Sequence, residues 1–223
     1  MQKYVLIVAG GKGSRFDSII PKQFALLNGR PILMHTFEAF SFLENVQFVL
    51  VLADESVDYW KELCEIHQFK LPHQIASGGP HRFHSVKSGL RQIPNDALVA
   101  IHDSVRPLVS KTTILGAFEM AERKGNGIPT IAIHESVREI DGVFNKAVDR
   151  NKLQIIQTPQ VFKSSDIKEA YNQNYQETFT DDASVAEQSG EQIYLTKGNP
   201  ENIKITSQLD LVVAEKYMGN AGN

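Results

Sequence analysis

Residues Tyr4-Val5-Leu6-Ile7-Val8-Ala9 form an unbroken apolar run that stops at Gly10-Gly11. A strand that is apolar at every position, rather than at alternate ones, has to be covered on both faces, and a parallel sheet flanked by helices provides that cover. The pattern then repeats along the chain. Pro31 to Phe42 places Ile32, Leu33, Thr36, Phe37 and Phe40 at helical spacing, with Pro31 suited to the first turn. Val46 to Ala53 reads as a second buried strand and Glu55 to His67 as a second helix. Gln74 to Ala76, a helix from about His81 to Ile93, a strand at Leu98 to His102 and a helix from about Thr112 to Lys124 continue the alternation. Strand and helix alternating this regularly predict an α/β fold built on a doubly wound, mostly parallel sheet.

The rhythm breaks after Lys124. Thr130 to Ile140 and Val143 to Val148 read as two strands around an Asp141-Gly142 hairpin turn, a strong short-range signal. This is expected to be an arm, at about 133–150, that leaves the main sheet. An isolated hairpin is marginal in water, so the arm should pack on something, a second subunit being the natural candidate. Beyond it the sequence predicts a strand near Val161, a helix from Ser164, a helix start at Thr180-Asp181-Asp182-Ala183-Ser184, a strand at Ile193 to Thr196 and a final helix from Gln208 to Tyr217. No linker or repeat divides the chain, so residues 1–223 are expected to form one domain. At that length such a domain buries roughly three quarters of its unfolded surface.

Chemistry concentrates first in Ala9-Gly10-Gly11-Lys12-Gly13-Ser14-Arg15, followed by Pro21-Lys22-Gln23. A glycine-rich turn after the first strand lets backbone N–H groups approach a polyphosphate closely, and Arg15 and Lys22 add cationic donors for the same anion. Two familiar alternatives do not fit. The three-glycine dinucleotide pattern needs glycine where Phe16 stands, and no lysine-serine pair follows a glycine at P-loop spacing. The site expected is therefore a triphosphate site of another kind.

The charge balance narrows the partners. Lys and Arg total 23 against 26 Asp and Glu, a formal charge of -3, so no basic field exists to hold polymeric nucleic acid. Cys64 is the single cysteine, which rules out an internal disulfide and fits a reduced, cytoplasmic setting. The opening apolar run is too short for a signal-peptide core, and nothing approaches the ~20 apolar residues a membrane helix needs.

Taken in order, Gly-x-Gly-x-Arg at Gly11 to Arg15 with Pro21-Lys22-Gln23 resembles the signature of nucleotide-sugar-type pyrophosphorylases. Further motifs narrow the likeness: Ser77-Gly78-Gly79 leading to Arg82 and Ser85-Val86, then His102-Asp103-Ser104-Val105-Arg106-Pro107. Val148-Asp149-Arg150-Asn151, Thr158-Pro159-Gln160, Thr180 to Ser184 and Asn202-Ile203-Lys204-Ile205-Thr206 complete the series. Together they resemble the 2-C-methyl-D-erythritol 4-phosphate cytidylyltransferase family of the non-mevalonate isoprenoid pathway, over nearly the whole chain. The resemblance implies a Rossmann-like sheet of the nucleotide-diphospho-sugar transferase type, a homodimer joined through the arm, CTP as substrate and Mg²⁺, or another divalent cation, as cofactor.

It also implies roles. Arg15 and Lys22 would stabilise the transition state as an acceptor phosphate attacks the α-phosphorus of CTP and pyrophosphate leaves; no protein nucleophile is needed. Ala9, Gly10, Gly11, Gly13, Gly79, Ser85 and Asp103 would join Arg15 and Lys22 around CTP. Asp103 follows a strand at the end where open α/β sheets bind ligands, beside ribose, acceptor and metal. Mg²⁺ would be held mainly by phosphates and water, with Asp103 its protein neighbour. Arg150, reaching across from a second subunit, and Lys204 would hold the acceptor phosphate, joined by Arg106, Thr158 and Ser136, the last standing where relatives carry threonine. Arg106 can equally hold its own loop. His102 reads as core rather than a metal ligand, and Thr180, Asp181 and Asp182 as a helix cap. Pro80 stands where many relatives have a polar residue, which leaves cytosine selection to the backbone near Gly79 and to Ser85.

Two rival readings remain at this stage. A ribitol 5-phosphate cytidylyltransferase would share the fold and CTP site, but relatives of that kind tend to lose the run present here as Asp149-Arg150-Asn151-Lys152-Leu153. A non-catalytic CTP-binding module would be expected to have lost one of the paired cations. The chain's length leaves no room for a fused downstream enzyme.

Overall fold

The computed structural model describes residues 1–10 and 20–220. Gly11, Gly13 and Arg15 lie outside the described residues. The sheet is built from β1 (Gln2–Ala9), two short pairing strands β2 (Leu26–Leu27) and β3 (Arg30–Pro31) set apart from it, then β4 (Gln47–Leu52), β5 (Gln74–Ser77), β6 (Ala97–Asp103) and β7 (Asn126–Ala132). After β8 (Val137–Asp141) and β9 (Phe144–Val148), which pair only with each other, come β10 (Gln154–Ile156), β11 (Gln160–Lys163) and β12 (Leu195–Lys197). The helices are α1 (Ile32–Glu38), α2 (Val57–Ile66), α3 (Arg82–Leu90), α4 (Lys111–Lys124), α5 (Ser164–Ala170), α6 (Asp182–Gln188) and α7 (Gln208–Asn220).

The main sheet runs β5-β4-β1-β6-β11-β7-β10, with β12 beside β7. The block β5, β4, β1, β6 is parallel throughout; β11 enters antiparallel between β6 and β7. The chain builds outward from β1 through β4 to β5, then crosses back so that β6 lies on the other side of β1. Strand order therefore reverses between β1 and β6. The crevice at the carboxyl ends of the strands flanking such a reversal is where open α/β sheets place ligands. Val8 pairs with Asp103 across this junction, so Gly10, just after β1, and the carboxylate ending β6 emerge side by side.

Alternation along β1 assigns its side chains to two cores. Val5, Ile7 and Ala9 pack with Phe37, Phe40 and Trp60 under α1 and α2; Leu6 faces Phe83, Val86 and Tyr171 under α3 and α5. Burial on both faces explains why the run lacks polar positions. A third cluster, Leu27, Ile32, Val105, Ile205 and Ala214, fastens α7 to the loops around the site.

The structure corrects the sequence reading in several places. Pro31 precedes α1 as its N-cap residue instead of sitting in the first turn, and the helix ends at Glu38, short of Phe42. The expected strand from Thr130 to Ile140 is two strands: β7, in the main sheet, and β8, in the arm. Residues 133–136 separate them, and β10, not foreseen, pairs antiparallel with β7. The arm's turn is also shifted by one residue. Asp141 pairs with Phe144, so the two-residue loop is Gly142-Val143, with Gly142 at φ 58°, the glycine-first arrangement of a tight hairpin.

Candidate active site

Two adjoining cavities open at the β1/β6 junction. The larger, about 410 Å³, is lined by Ala9 and Gly10 after β1, Lys22 and Gln23, the turn Gly79-Pro80-His81 with Arg82 and Ser85 of α3, Asp103 at the end of β6, and Lys204. The smaller, about 240 Å³, shares Arg82, Asp103 and Lys204 and adds Arg106, Ile156, Gln157, Thr158, Gln160, Thr180 and Asp181. The shared residues mark the boundary between two compartments.

Close packing shapes the glycine end of the larger cavity. A Cβ on Gly10 would stand 2.7 Å from Ser85 Oγ, so a larger residue there would displace the serine. Ser85 is buried, and its hydroxyl accepts the Gly79 N–H at 3.0 Å. That bond fixes the turn in which Pro80 stands. Nearby, Gln23 donates to the Ala9 carbonyl at 3.2 Å and ties the segment after Pro21 to the end of β1. Lys22 opens a short 3-10 turn, Lys22–Phe24, and faces the same cavity.

Asp103 is the electrostatic centre. Its Oδ1 lies 3.5 Å from Arg82 Nε; its Oδ2 lies 3.2 Å from Arg106 Nε and 3.1 Å from Lys204 Nζ. Burial pushes its pKa up, but Arg82, Lys204 and Arg106 outweigh burial and hold the carboxyl well below the usual carboxylate range. The backbone is held as firmly. The Asp103 N–H donates to Thr158 Oγ1 at 3.1 Å, and Thr158 Oγ1 lies 3.0 Å from His102 Nδ1. His102 Nε2 meets the Arg106 carbonyl at 3.0 Å. One arrangement of protons satisfies all three bonds: Thr158 donates to Nδ1 and Nε2–H donates to the carbonyl. Burial, the main cause, keeps that imidazole neutral and brings its pKa down to about 4.

Arg106 is pinned to the segment before α7 as well. Its Nη1 donates to the Asn202 carbonyl at 2.7 Å, while Asn202, fully buried, donates to the Thr158 carbonyl at 2.8 Å. Arg106 thus lines the smaller cavity and braces it at once. The Thr180 to Ser184 segment does more than the cap read from sequence. Asp181 is the N-cap of α6 in a capping box with Ser184, and Thr180 lines the smaller cavity. Asp182 is fully buried and accepts two bonds from the Arg82 guanidinium, at 2.8 and 2.7 Å, and one from the Tyr171 hydroxyl at 2.6 Å.

Of the residues singled out by sequence, Ala9, Gly10, Lys22, Gly79, Ser85, Asp103, Arg106, Thr158 and Lys204 converge on the two cavities. Ser136 and Arg150 do not: both are exposed near the base of the arm, where Arg150 donates to the His134 carbonyl. Arg82, Gln160 and Tyr171 were given no role from sequence, and Asp182 only that of a helix-cap residue. Gln160 donates to Asp181 and accepts from the Ala183 N–H, so it seats α6. The sequence carried a trace of these residues in three of the motifs, but no spacing rule says which arginine meets which aspartate across the fold.

Among the described residues no three His, Cys, Asp or Glu side chains converge as metal ligands, and both Asp103 oxygens already face cations. This donor set does not fit a cation caged by protein. It fits one carried by a nucleotide's phosphates and water.

An α/β sheet that gathers Gly10, several cations and the Asp103 carboxylate at its switch point defines a nucleotide-handling enzyme of the nucleotidyltransferase class. The chain matches the family 2-C-methyl-D-erythritol 4-phosphate cytidylyltransferase over residues 3–220 and belongs to that family. The proteins of that name from Phocaeicola vulgatus and Bacteroides fragilis are 48% and 49% identical to it, over 96% and 98% of this chain and 99% and 100% of theirs. The crystal structure of the Francisella tularensis 2-C-methyl-D-erythritol 4-phosphate cytidylyltransferase superposes with a TM-score of 0.81 at 28% identity, covering 97% of this chain and 99% of that one.

Proposed function

We propose that the chain transfers a cytidylyl group from CTP to 2-C-methyl-D-erythritol 4-phosphate, releasing pyrophosphate and forming 4-diphosphocytidyl-2-C-methyl-D-erythritol. Family membership supports the reaction, and the paired cavities meeting at Asp103 support its geometry. CTP takes the larger cavity, with its base toward Gly79 and Ser85 and its phosphates toward Gly10 and Lys22. The acceptor takes the smaller one, beside Lys204, Arg106, Thr158 and Thr180. A phosphate oxygen of the acceptor attacks the α-phosphorus; the bond from that phosphorus to the bridging oxygen breaks, and the electron pair leaves with pyrophosphate. Charge gathers on the α-phosphoryl oxygens and the leaving group, where Lys22 supplies positive charge; Arg15, Gly11 and Gly13, outside the described residues, are the further candidates from the sequence. Mg²⁺ bound to the triphosphate would supply neutralising charge, and among the described residues Asp103 is the carboxylate of the larger cavity that would stand beside it.

The reading extends to assembly. The arm exposes Ile140, Val143 and Phe144, the last two at 90% and 76%, more apolar surface than a lone hairpin keeps in water. It is a dimerisation element of a single domain spanning residues 1–223, and it carries Ser136 and Arg150 to the acceptor site of a second copy. We place the enzyme in the cytoplasm, where nucleoside triphosphates are held. Its single, partly buried cysteine suits a reducing compartment, and among the described residues no helix is long and apolar enough to cross a membrane. Incubation with CTP, the acceptor and Mg²⁺, with pyrophosphate and the cytidylylated product followed together, tests the function; CTP binding without either product would leave only a nucleotide-binding module.

A further inference from the structure

We propose that Arg82, clamped from behind by Asp182 and Tyr171, is a positioning residue for this reaction that sets where Asp103 stands at the boundary between the two cavities. The inference rests on the reading just given and deepens it.

Arg82 is the first residue of α3, and it lines both cavities. Its two terminal nitrogens donate to the two oxygens of Asp182 in a side-by-side pair, leaving Nε 3.5 Å from Asp103 Oδ1. A planar guanidinium held by two parallel bonds has no rotational freedom left, so the direction of its Nε–H is set by Asp182. Asp182 is in turn fixed by position and by partner. It stands in the first turn of α6, fully buried, and receives the Tyr171 hydroxyl. Tyr171 stacks on Phe83, the residue following Arg82, with ring centroids 4.7 Å apart and planes 26° off parallel. The unit Tyr171–Asp182–Arg82 therefore returns to its own starting point and closes.

What this unit delivers is an Asp103 carboxylate held at both oxygens. Arg106 and Lys204 sit on Oδ2 alone, and without Arg82 they would draw the carboxylate toward the smaller cavity. A lysine at position 82 keeps the charge but cannot satisfy both Asp182 oxygens and point a third donor at Asp103.

The test uses the full chain with CTP, 2-C-methyl-D-erythritol 4-phosphate and Mg²⁺, and active sites counted by calorimetric titration with CTP. Arg82→Lys is expected to lower kcat per active site by at least about tenfold, with KM for CTP changed less than about threefold, because displaced charge costs the chemical step more than nucleotide capture. Tyr171→Phe, which removes one hydroxyl, is expected to give the same pattern more weakly, and Arg82→Lys with Asp182→Asn to be no slower than Arg82→Lys alone, since both act through one unit. Unchanged kcat per active site in Tyr171→Phe and Arg82→Lys, whatever happens to the melting temperature, would overturn the proposal, as would additive losses in the double variant. Should Arg82→Lys not fold, Tyr171→Phe decides alone. If the unaltered protein releases no pyrophosphate, the reading of the function fails; if it does and the variants match it, only this inference fails.

Discussion

Lys204 closes onto Asp103, its ammonium 3.1 Å from Oδ2, and so joins the segment before α7 to the end of β6. Among the described residues, Asp103 is the anion that Lys204, Arg82 and Arg106 share. Replacing it with asparagine leaves three cations facing one another with Asp182 as the remaining carboxylate. The cost of uncompensated charge is about 3–5 kcal/mol for fully buried pairs and less here, because the Lys204 side chain is 42% exposed; about 2 kcal/mol is expected. Urea unfolding of Asp103→Asn checks this. No loss of stability would mean the three contacts are surface pairs of no consequence.

Lys22 is expected to act on the reaction and not on the fold. It is half-buried on a three-residue turn and faces the larger cavity. Lys22→Ala should lose about 10²–10³ in kcat, the effect of removing one donor from developing oxyanion charge, equivalent to about 2.7–4 kcal/mol. Steady-state kinetics beside a thermal melt separates the two effects. Near-full activity would remove Lys22 from the mechanism.

His102 gives the protein a pH signature. Burial brings its pKa down to about 4 from the model-peptide 6.5, so the folded state binds its proton less readily than the unfolded state. Between those values the unfolded chain takes up a proton that the native chain refuses, and stability falls as pH falls. The contribution is fully present above pH 6.5 and is lost progressively toward pH 4, about 3 kcal/mol in all. His35 and His73, also lowered by burial, act in the same direction. Urea midpoints measured across this range should slope less in His102→Gln than in the unaltered protein. An equal slope would mean that His102 is not the source.

If Arg150 serves the site of a second copy, two inactive variants should rescue one another. Lys22→Ala and Arg150→Ala, co-expressed in equal amounts, would form heterodimers in half of all pairs, each with one intact site and one carrying both defects. About a quarter of normal activity should return, as the symmetry of a two-fold dimer requires. No recovery, with exchange of subunits demonstrated, would place Arg150 in its own chain's site or in none.

What was legible in the sequence was whatever is local or periodic. The run Tyr4 to Ala9 announced a two-faced strand because each of its residues must be apolar, and Asp103 could be placed at a ligand-binding end because it stands at the carboxyl end of a strand. The break between β7 and β8 was not legible. Thr130 to Ile140 carries β-branched residues in both halves, and only the pairing of Ile131 with Ile155 and of Val137 with Val148 shows that its two halves join different sheets. The clamp on Arg82 was hidden for a similar reason. Asp182 looks like any acidic residue in the first turn of a helix, and its true partner lies one hundred residues away. Ser136 and Arg150 were found only through resemblance, since a single chain does not bring them to the cavities.

The central claim is that this site joins CTP to 2-C-methyl-D-erythritol 4-phosphate. Its most direct measurement is kcat/KM for pyrophosphate release with CTP and either that acceptor or ribitol 5-phosphate, at equal Mg²⁺. A preference for 2-C-methyl-D-erythritol 4-phosphate of at least about tenfold is predicted, the discrimination expected when polar groups of a site are matched by one substrate and left unpaired by the other. Faster turnover of ribitol 5-phosphate would contradict the account.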